Sequence, residues 1–246
     1  MVEDTSVLTR PAAAPDLTVA YAAGPEQIAD IRFGTDEAGQ RPLAILVHGG
    51  FWRPIYDRSH AGPMSAALAS AGWTVATIEY RRVPGKPDLT LHDVSRAVQA
   101  LPALVDRHKG NVVLIGHSAG GHLVLWAAST AEGPGITGVL ALAPAADLQL
   151  SHERNLGDGA VEAFLGADAR SRPDVDPKLL PTSRAAATIV HGTLDDIVPI
   201  EISRSYIAAH PDTRLVEMPG AGHFAVIDPL SHVWATVVAE LAGVSR

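Results

Sequence analysis

Val112-Val113-Leu114-Ile115-Gly116-His117-Ser118-Ala119-Gly120-Gly121-His122 is the stretch whose reading decides the fold. Val112 to Ile115 is an unbroken apolar run, the pattern of a strand buried on both faces. It leads straight into a turn built mostly of small residues, and an apolar helix follows to about Thr130. A G-x-S-x-G match recurs by chance, but between a buried strand and a helix it marks a sharp turn that presents a serine hydroxyl. Gly116, Ala119, Gly120 and Gly121 meet the need for small side chains where strand and helix cross closely. The plain alternative is a serine N-cap at an ordinary strand-to-helix turn.

Working outward from that turn, short apolar runs alternate with helical patterns, which predicts a mostly parallel sheet with helices on both faces. Leu17 to Ala22 and Gln27 to Phe33 read as two antiparallel edge strands, and Leu43 to His48 as a buried one. Trp73 to Tyr80, Asn111 to His117, Ile136 to Ala143, Ala186 to His191 and Thr213 to Met218 supply five more. Helices are expected over Met64 to Ala71, Leu91 to His108, Ser118 to Thr130, Ile200 to Ala209 and Leu230 to Ala242, with Pro102 kinking or splitting the second. Residues 1–15, rich in Ala and Pro, carry no periodic pattern and are expected to form a flexible arm. Residues 16–246 then make one domain, with 145–184 as a small lid insertion that shapes the pocket.

Composition narrows the chemistry. The chain of 246 residues has no cysteine, which excludes disulfides, thiolate metal sites and a cysteine nucleophile. Nineteen Lys plus Arg against twenty-seven Asp plus Glu give a net charge of -8, and no basic run supplies the phosphate neutralisation that nucleic-acid binding needs. No apolar run approaches the ~20 residues of a membrane span, and Glu3 and Asp4 stand where a signal peptide would be positive. A soluble, unexported, cytoplasmic protein without membrane or nucleic-acid partners is the expectation.

A serine hydroxyl needs a base to take its proton, and the base needs a carboxylate to hold its tautomer. His191-Gly192-Thr193-Leu194-Asp195-Asp196-Ile197-Val198-Pro199 follows a predicted strand and puts Asp195 at its carboxyl end. Gly220-Ala221-Gly222-His223-Phe224 follows the last strand likewise. Ser118, Asp195 and His223 therefore converge on one edge of the sheet, where ligand sites of such folds lie. Asp147 and Asp196 are the rival carboxylates. His48-Gly49-Gly50-Phe51-Trp52, directly after the buried run Leu43 to Val47, suits an oxyanion hole. Gly50 and Phe51 are the favoured donors, Gly49 is a further candidate, and the Ala119 N–H at a helix N-terminus completes the set. A Gly-Gly turn after a strand is the plainer reading of that loop taken alone. Among the other histidines, His60, His92, His108, His152, His210 and His232 read as solvated surface, His122 as packing, and His191 as structural. No H-E-x-x-H or comparable spacing appears, so no metal site is expected.

Together, H-G-G-F-W, G-H-S-A-G-G-H, H-G-T-L-D-D-I-V-P and G-H-F resemble the α/β-hydrolase superfamily. H-G-G-x-W is similar to the oxyanion motif of kynurenine formamidases (arylformamidases) and their esterase relatives. Glu79-Tyr80-Arg81-Arg82, followed by Pro87 and Asp93-Val94, resembles the hormone-sensitive-lipase-like esterases. The likeness runs from about Leu43 to the C-terminus. It implies an α/β-hydrolase fold and a Ser118-His223-Asp195 triad working through an acyl-enzyme on a small-molecule ester or formamide, with no cofactor or metal required. N-formyl-L-kynurenine is the favoured substrate, small acyl esters are the alternative, and a non-catalytic receptor is a remote third reading. Phe51 and Trp52 are the candidate substrate wall, equally readable as loop packing. Arg53, Arg58, Arg81 and Arg82 are the candidates for a substrate carboxylate. A homodimer is compatible with the sequence, which does not fix the oligomeric state.

Overall fold

The computed structural model describes residues 3–35, 39–130 and 135–245. Eight strands form one sheet: β1 (Leu17–Ala20), β2 (Ile28–Arg32), β3 (Leu43–Val47), β4 (Val75–Ile78), β5 (Val112–His117), β6 (Ile136–Leu142), β7 (Ala186–Gly192) and β8 (Arg214–Met218). Their spatial order is β1-β2-β4-β3-β5-β6-β7-β8. β1 pairs antiparallel with β2 and β2 with β4, while the other pairs are parallel. This is the mostly parallel α/β architecture that the alternating pattern predicts, with the two antiparallel strands at one edge.

The helices are α1 (Gly62–Ser70), α2 (Pro87–Leu104), α3 (Ala119–Thr130), α4 (Leu148–Glu153), α5 (Ala160–Leu165), α6 (Glu201–Ala209) and α7 (Trp234–Val244). β3 shows why both faces of the sheet must be covered. Leu43, Ile45 and Val47 join a core with α2, α3 and Tyr206 of α6, whereas Ala44 and Leu46 join a second core with Met64 and Leu68 of α1 and Val237 and Leu241 of α7. A strand with period-two side chains and helices on each side has no solvated face, hence its continuous apolar sequence. No helix among the described residues is long and apolar enough to cross a membrane.

Three expectations need correction. α2 starts at Pro87, where a proline at the first helical position loses no hydrogen bond, and it passes through Pro102 unsplit. It stops at Leu104 rather than His108, because the His108 ring turns back and donates from Nε2 to the carbonyls of Val105 and Pro102 at 2.9 and 3.2 Å. The N-terminal segment is not a free arm. Val7 is 1% exposed within the second core, and Arg10 pairs with Asp228; residues 1 and 2 lie outside the described residues. His210, expected on the surface, is buried, stacked on Tyr206 with ring centroids 4.4 Å apart, and donates to Lys178 O.

Residues 145–184 fold into α4, α5 and two 3-10 turns and pack on the α2/α3 side of the sheet. Val161, Phe164, Leu165 and Val175 are buried there, and the fully buried His122 of α3 donates from Nε2 to Val175 O at 2.9 Å. Its Nδ1 has no partner among the described residues. Burial therefore lowers its pKa from 6.5 to about 4. A base with a depressed folded-state pKa favours folding above the unfolded value, and that contribution is lost as pH falls from about 6.5 toward 4. His122→Gln keeps a donor for Val175 O without a titrating ring, so its melting temperature should decline less than the wild type's between pH 6.5 and 4.5. Equal declines in parallel thermal melts would contradict this placement of His122.

Candidate active site

The site grows from the β5–α3 turn. Gly120 stands where a Cβ would meet Val47 O at 2.1 Å, so the first turn of α3 lies directly against the carboxyl end of β3. That closeness throws Ser118 into the left-handed region at φ 55°, a conformation costing a non-glycine residue on the order of 1–3 kcal/mol. The surrounding backbone holds it there. Ser118 N–H donates to Leu142 O at 2.9 Å, and Ser118 O accepts from His122 and Ala145 N–H at 3.1 and 3.2 Å. Ser118 is 3% exposed, at the floor of a cavity of about 470 Å³ that His223 also lines.

Asp195, the expected carboxylate, lies in the turn after β7 beside the ring of His223. Its Oδ1 accepts from the N–H groups of Ile197 and Val198 at 2.9 and 2.8 Å, and its Oδ2 accepts from His223 Nδ1 at 2.6 Å. His191 Nε2 approaches the same Oδ2 at 3.1 Å and donates to Val198 O at 2.8 Å. Burial alone would push the Asp195 pKa up. The hydrogen bonds from His191 and His223, with the attraction of both rings, outweigh it and hold the carboxyl well below the usual range. Asp195 thus stays ionised wherever an imidazole can be neutral. The rivals do other work: Asp147 caps α4 through Leu150 N–H and pairs with Lys178, and Asp196 is exposed. Among the described residues no hydrogen bond joins Ser118 Oγ to His223, a contact that commonly tightens only once substrate is bound.

The loop after β3 approaches from the other side. A Cβ on Gly49 would meet His117 O at 2.9 Å and Ser118 Cβ at 3.0 Å, so this loop runs against the elbow. Gly50, Phe51 and Trp52 follow with φ of 110°, 51° and 53°. Among the described residues nothing accepts from the N–H groups of Gly50, Phe51 or Ala119. Free donors beside a serine are what an oxyanion requires. The loop is braced from β4's end by a network absent from the sequence-derived site. Glu79 Oε1 accepts from Tyr80 N–H at 3.0 Å and Arg82 Nη1 and lies 3.1 Å from His48 Nε2, while Oε2 accepts from Arg58 N–H at 3.0 Å. The Tyr80 ring stacks on His48 at 4.5 Å and its hydroxyl donates to His48 O at 2.8 Å. Burial opposes ionisation of Glu79, but His48 and Arg82 prevail and lower its pKa to about 2.

Phe51 lines the cavity as expected, whereas Trp52 does not. Trp52 is 3% exposed and stacks on Phe164 at 4.6 Å, so it anchors the loop to α5. None of residues 145–184 reaches the cavity; the insertion supports the loop from behind, where Gly157 O accepts from Arg53 Nη2. The wall opposite is formed by Leu8, Thr9, Ile55, Tyr56, Asp57 and His60. His60, read as surface, is a neutral ring there, its pKa lowered to about 4 first by burial and then by His48. None of these positions carries a local motif, and only the overall topology brings them to Ser118. Among the described residues no cluster of three His, Asp or Glu is arranged to hold a metal.

A family model described as BD-FAE matches residues 29–209. Esterase LipC of Mycobacterium tuberculosis is 25% identical over 241 residues, 85% of this chain and 60% of LipC. Kynurenine formamidase of Salmo salar is 31% identical over 115 residues, 46% of this chain and 38% of that protein. Esterase B from Lactobacillus rhamnosis superposes with a TM-score of 0.77 at 19% identity, covering 96% of this chain and 88% of that one, a likeness of fold. The chain spans about 60% of the length of the mycobacterial esterases that it matches over most of its own length.

The geometry of Gly49 yields a direct test. Gly49→Ala forces the loop back by a few tenths of an ångström and should lower kcat for p-nitrophenyl acetate by roughly tenfold to a hundredfold, with KM nearly constant. A wild-type kcat in this variant would contradict the placement of the loop.

Proposed function

The chain belongs to the BD-FAE family, within the α/β-hydrolase superfamily, and on that premise we propose that it is a serine hydrolase of neutral carboxylic esters. The observation that carries this reading is the convergence of Ser118, His223, Gly50 and Phe51 on one cavity, with the N–H groups of Gly50, Phe51 and Ala119, the residue after Ser118, free of partners among the described residues and Asp195 hydrogen-bonded to His223. His223 takes the Ser118 proton as Oγ attacks the ester carbonyl. The carbonyl oxygen gains negative charge and is met by donors already in place. His223 then gives its proton to the leaving alcohol. Water, deprotonated by the same ring, attacks the acyl-enzyme and releases the acid. Asp195 holds the ring in the Nδ1–H tautomer and stabilises its charge through both steps.

Charge around the cavity supports neutral substrates. Among the described residues neither Arg nor Lys lines it. The four candidate arginines are engaged elsewhere: Arg53 with Gly157 O, Arg58 with Asp30, Arg81 with Asp93 and Arg82 with Glu79. Asp57 does line it, and a hydrogen bond from Ser59 lowers its pKa, so the wall carries an anion. N-formyl-L-kynurenine is a zwitterion: its carboxylate finds no guanidinium on the cavity lining, while its ammonium suits Asp57, so the charge there disfavours anionic esters and leaves formylkynurenine to be tested. The formamide reading keeps a specific support in His48-Gly49-Gly50-Phe51-Trp52 and in the partial match to kynurenine formamidase. The two readings share every catalytic group and differ only in substrate.

Kinetics separate them. p-Nitrophenyl butyrate should be turned over with a kcat/KM at least about tenfold above that of mono-p-nitrophenyl succinate, and Asp57→Asn should narrow the gap. Ser118→Ala should lower kcat by at least about 10⁴. Faster turnover of N-formyl-L-kynurenine than of any neutral ester would replace the ester reading with the formamidase one.

A further inference from the structure

We propose that residues 3–10 are a strap that completes the active site: Leu8 and Thr9 wall the cavity, and Glu3 and Arg10 hold the loop that carries His223. Leu8 and Thr9 share the cavity with Ser118 and His223, the only lining contributed from residues 3–15. The segment is fastened there by three contacts of different kinds. Val7, 1% exposed, anchors its middle in the second core, to which Ala221, Val226 and Ile227 of the histidine loop also belong. Glu3 Oε1 accepts the N–H of Phe224, the residue after His223, at 2.9 Å. Arg10 grips both carboxylate oxygens of Asp228, through Nη2 to Oδ2 at 2.9 Å and Nη1 to Oδ1. Bidentate pairing of this kind fixes orientation as well as distance.

The two polar anchors bracket residues 224 to 228 of the loop. From the opposite side, His117 Nε2 donates to His223 O at 3.1 Å. His223 is therefore held between the elbow and the strap, and Arg10 acts on it as a positioning residue through Asp228. Leu8 is placed to limit the length of the substrate chain on its side of the cavity. That limit rests on the ester reading, whereas the hold on the loop does not.

Leu8→Ala and Leu8→Phe should shift the kcat/KM ratio of p-nitrophenyl hexanoate to acetate in opposite directions, upward and downward by about tenfold. Ratios within twofold of the wild type in both variants would overturn the wall. Arg10→Ala should lower kcat about tenfold at a nearly constant KM, and the exchanged pair Arg10→Asp with Asp228→Arg should recover most of it. A kcat that does not fall, or a loss that the exchanged pair does not recover, would overturn the clamp. Amide hydrogen exchange over residues 223–231 should quicken by about tenfold in Arg10→Ala while α3 stays protected. Unchanged exchange in that loop overturns the clamp without reference to any substrate. Absence of ester turnover in the wild type would count against the ester reading alone, and exchange would then decide the strap.

Discussion

The contact between the first turn of α3 and the carboxyl end of β3, close enough that a Cβ on Gly120 would fall 2.1 Å from Val47 O, sets the rest of the site. It fixes the crossing of β5 into α3 and with it the left-handed backbone of Ser118. The strand that α3 touches is also the strand from which the Gly49–Trp52 loop departs. The proposed nucleophile and oxyanion donors are thereby mounted on one junction, and in that role the donors need no reorganisation when charge develops. A larger residue at position 120 would separate both halves of the site at once.

Two buried carboxylates extend that junction outward. Glu79 braces the loop after β3 through His48 and Arg82, and Asp195 braces His223, the proposed base, with His191 beside it. Each is withdrawn from water, which is costly, and each recovers the loss by filling its oxygens with hydrogen bonds. Removing one partner of such a pair leaves an uncompensated buried charge, a penalty of about 3–5 kcal/mol. The same arithmetic explains why both sites are dense in partners. A single hydrogen bond would not hold an ionised carboxyl at these depths.

How much of this was legible in the amino-acid sequence depended on the distance over which the cause acts. Gly116 to Gly120 and the run before it encode a local turn, and the strand-to-helix reading of that segment matches β5 and α3 within a residue. Continuous apolar runs such as Leu43 to Val47 encode burial on both faces, and the sheet follows from them. Contacts between distant segments left no periodic trace. Arg10 meets Asp228 across 218 positions, and a stretch of Ala and Pro with one buried Val7 looks like a loose tail until the histidine loop is folded beside it. Trp52 illustrates a different limit. Residue type leaves it equally readable as substrate wall or as loop packing, and three successive positive φ angles turn the indole toward Phe164 rather than the cavity, a backbone twist that residue type does not specify. Residues 145–184, expected as a lid that shapes the pocket, turn their apolar face to α2 and α3, and the cavity wall comes instead from residues 50–60 with Leu8 and Thr9.

A crystal structure of the protein treated with diethyl p-nitrophenyl phosphate tests the central claim most directly, because the adduct reports nucleophile and donors together. Phosphorus should be bonded to Ser118 Oγ, with the phosphoryl oxygen accepting from Ala119 N–H and from Gly50 or Phe51 N–H at about 2.7–3.1 Å. A phosphoryl group on any other residue, or on Ser118 with its oxygen turned away from both sets of donors, would contradict it.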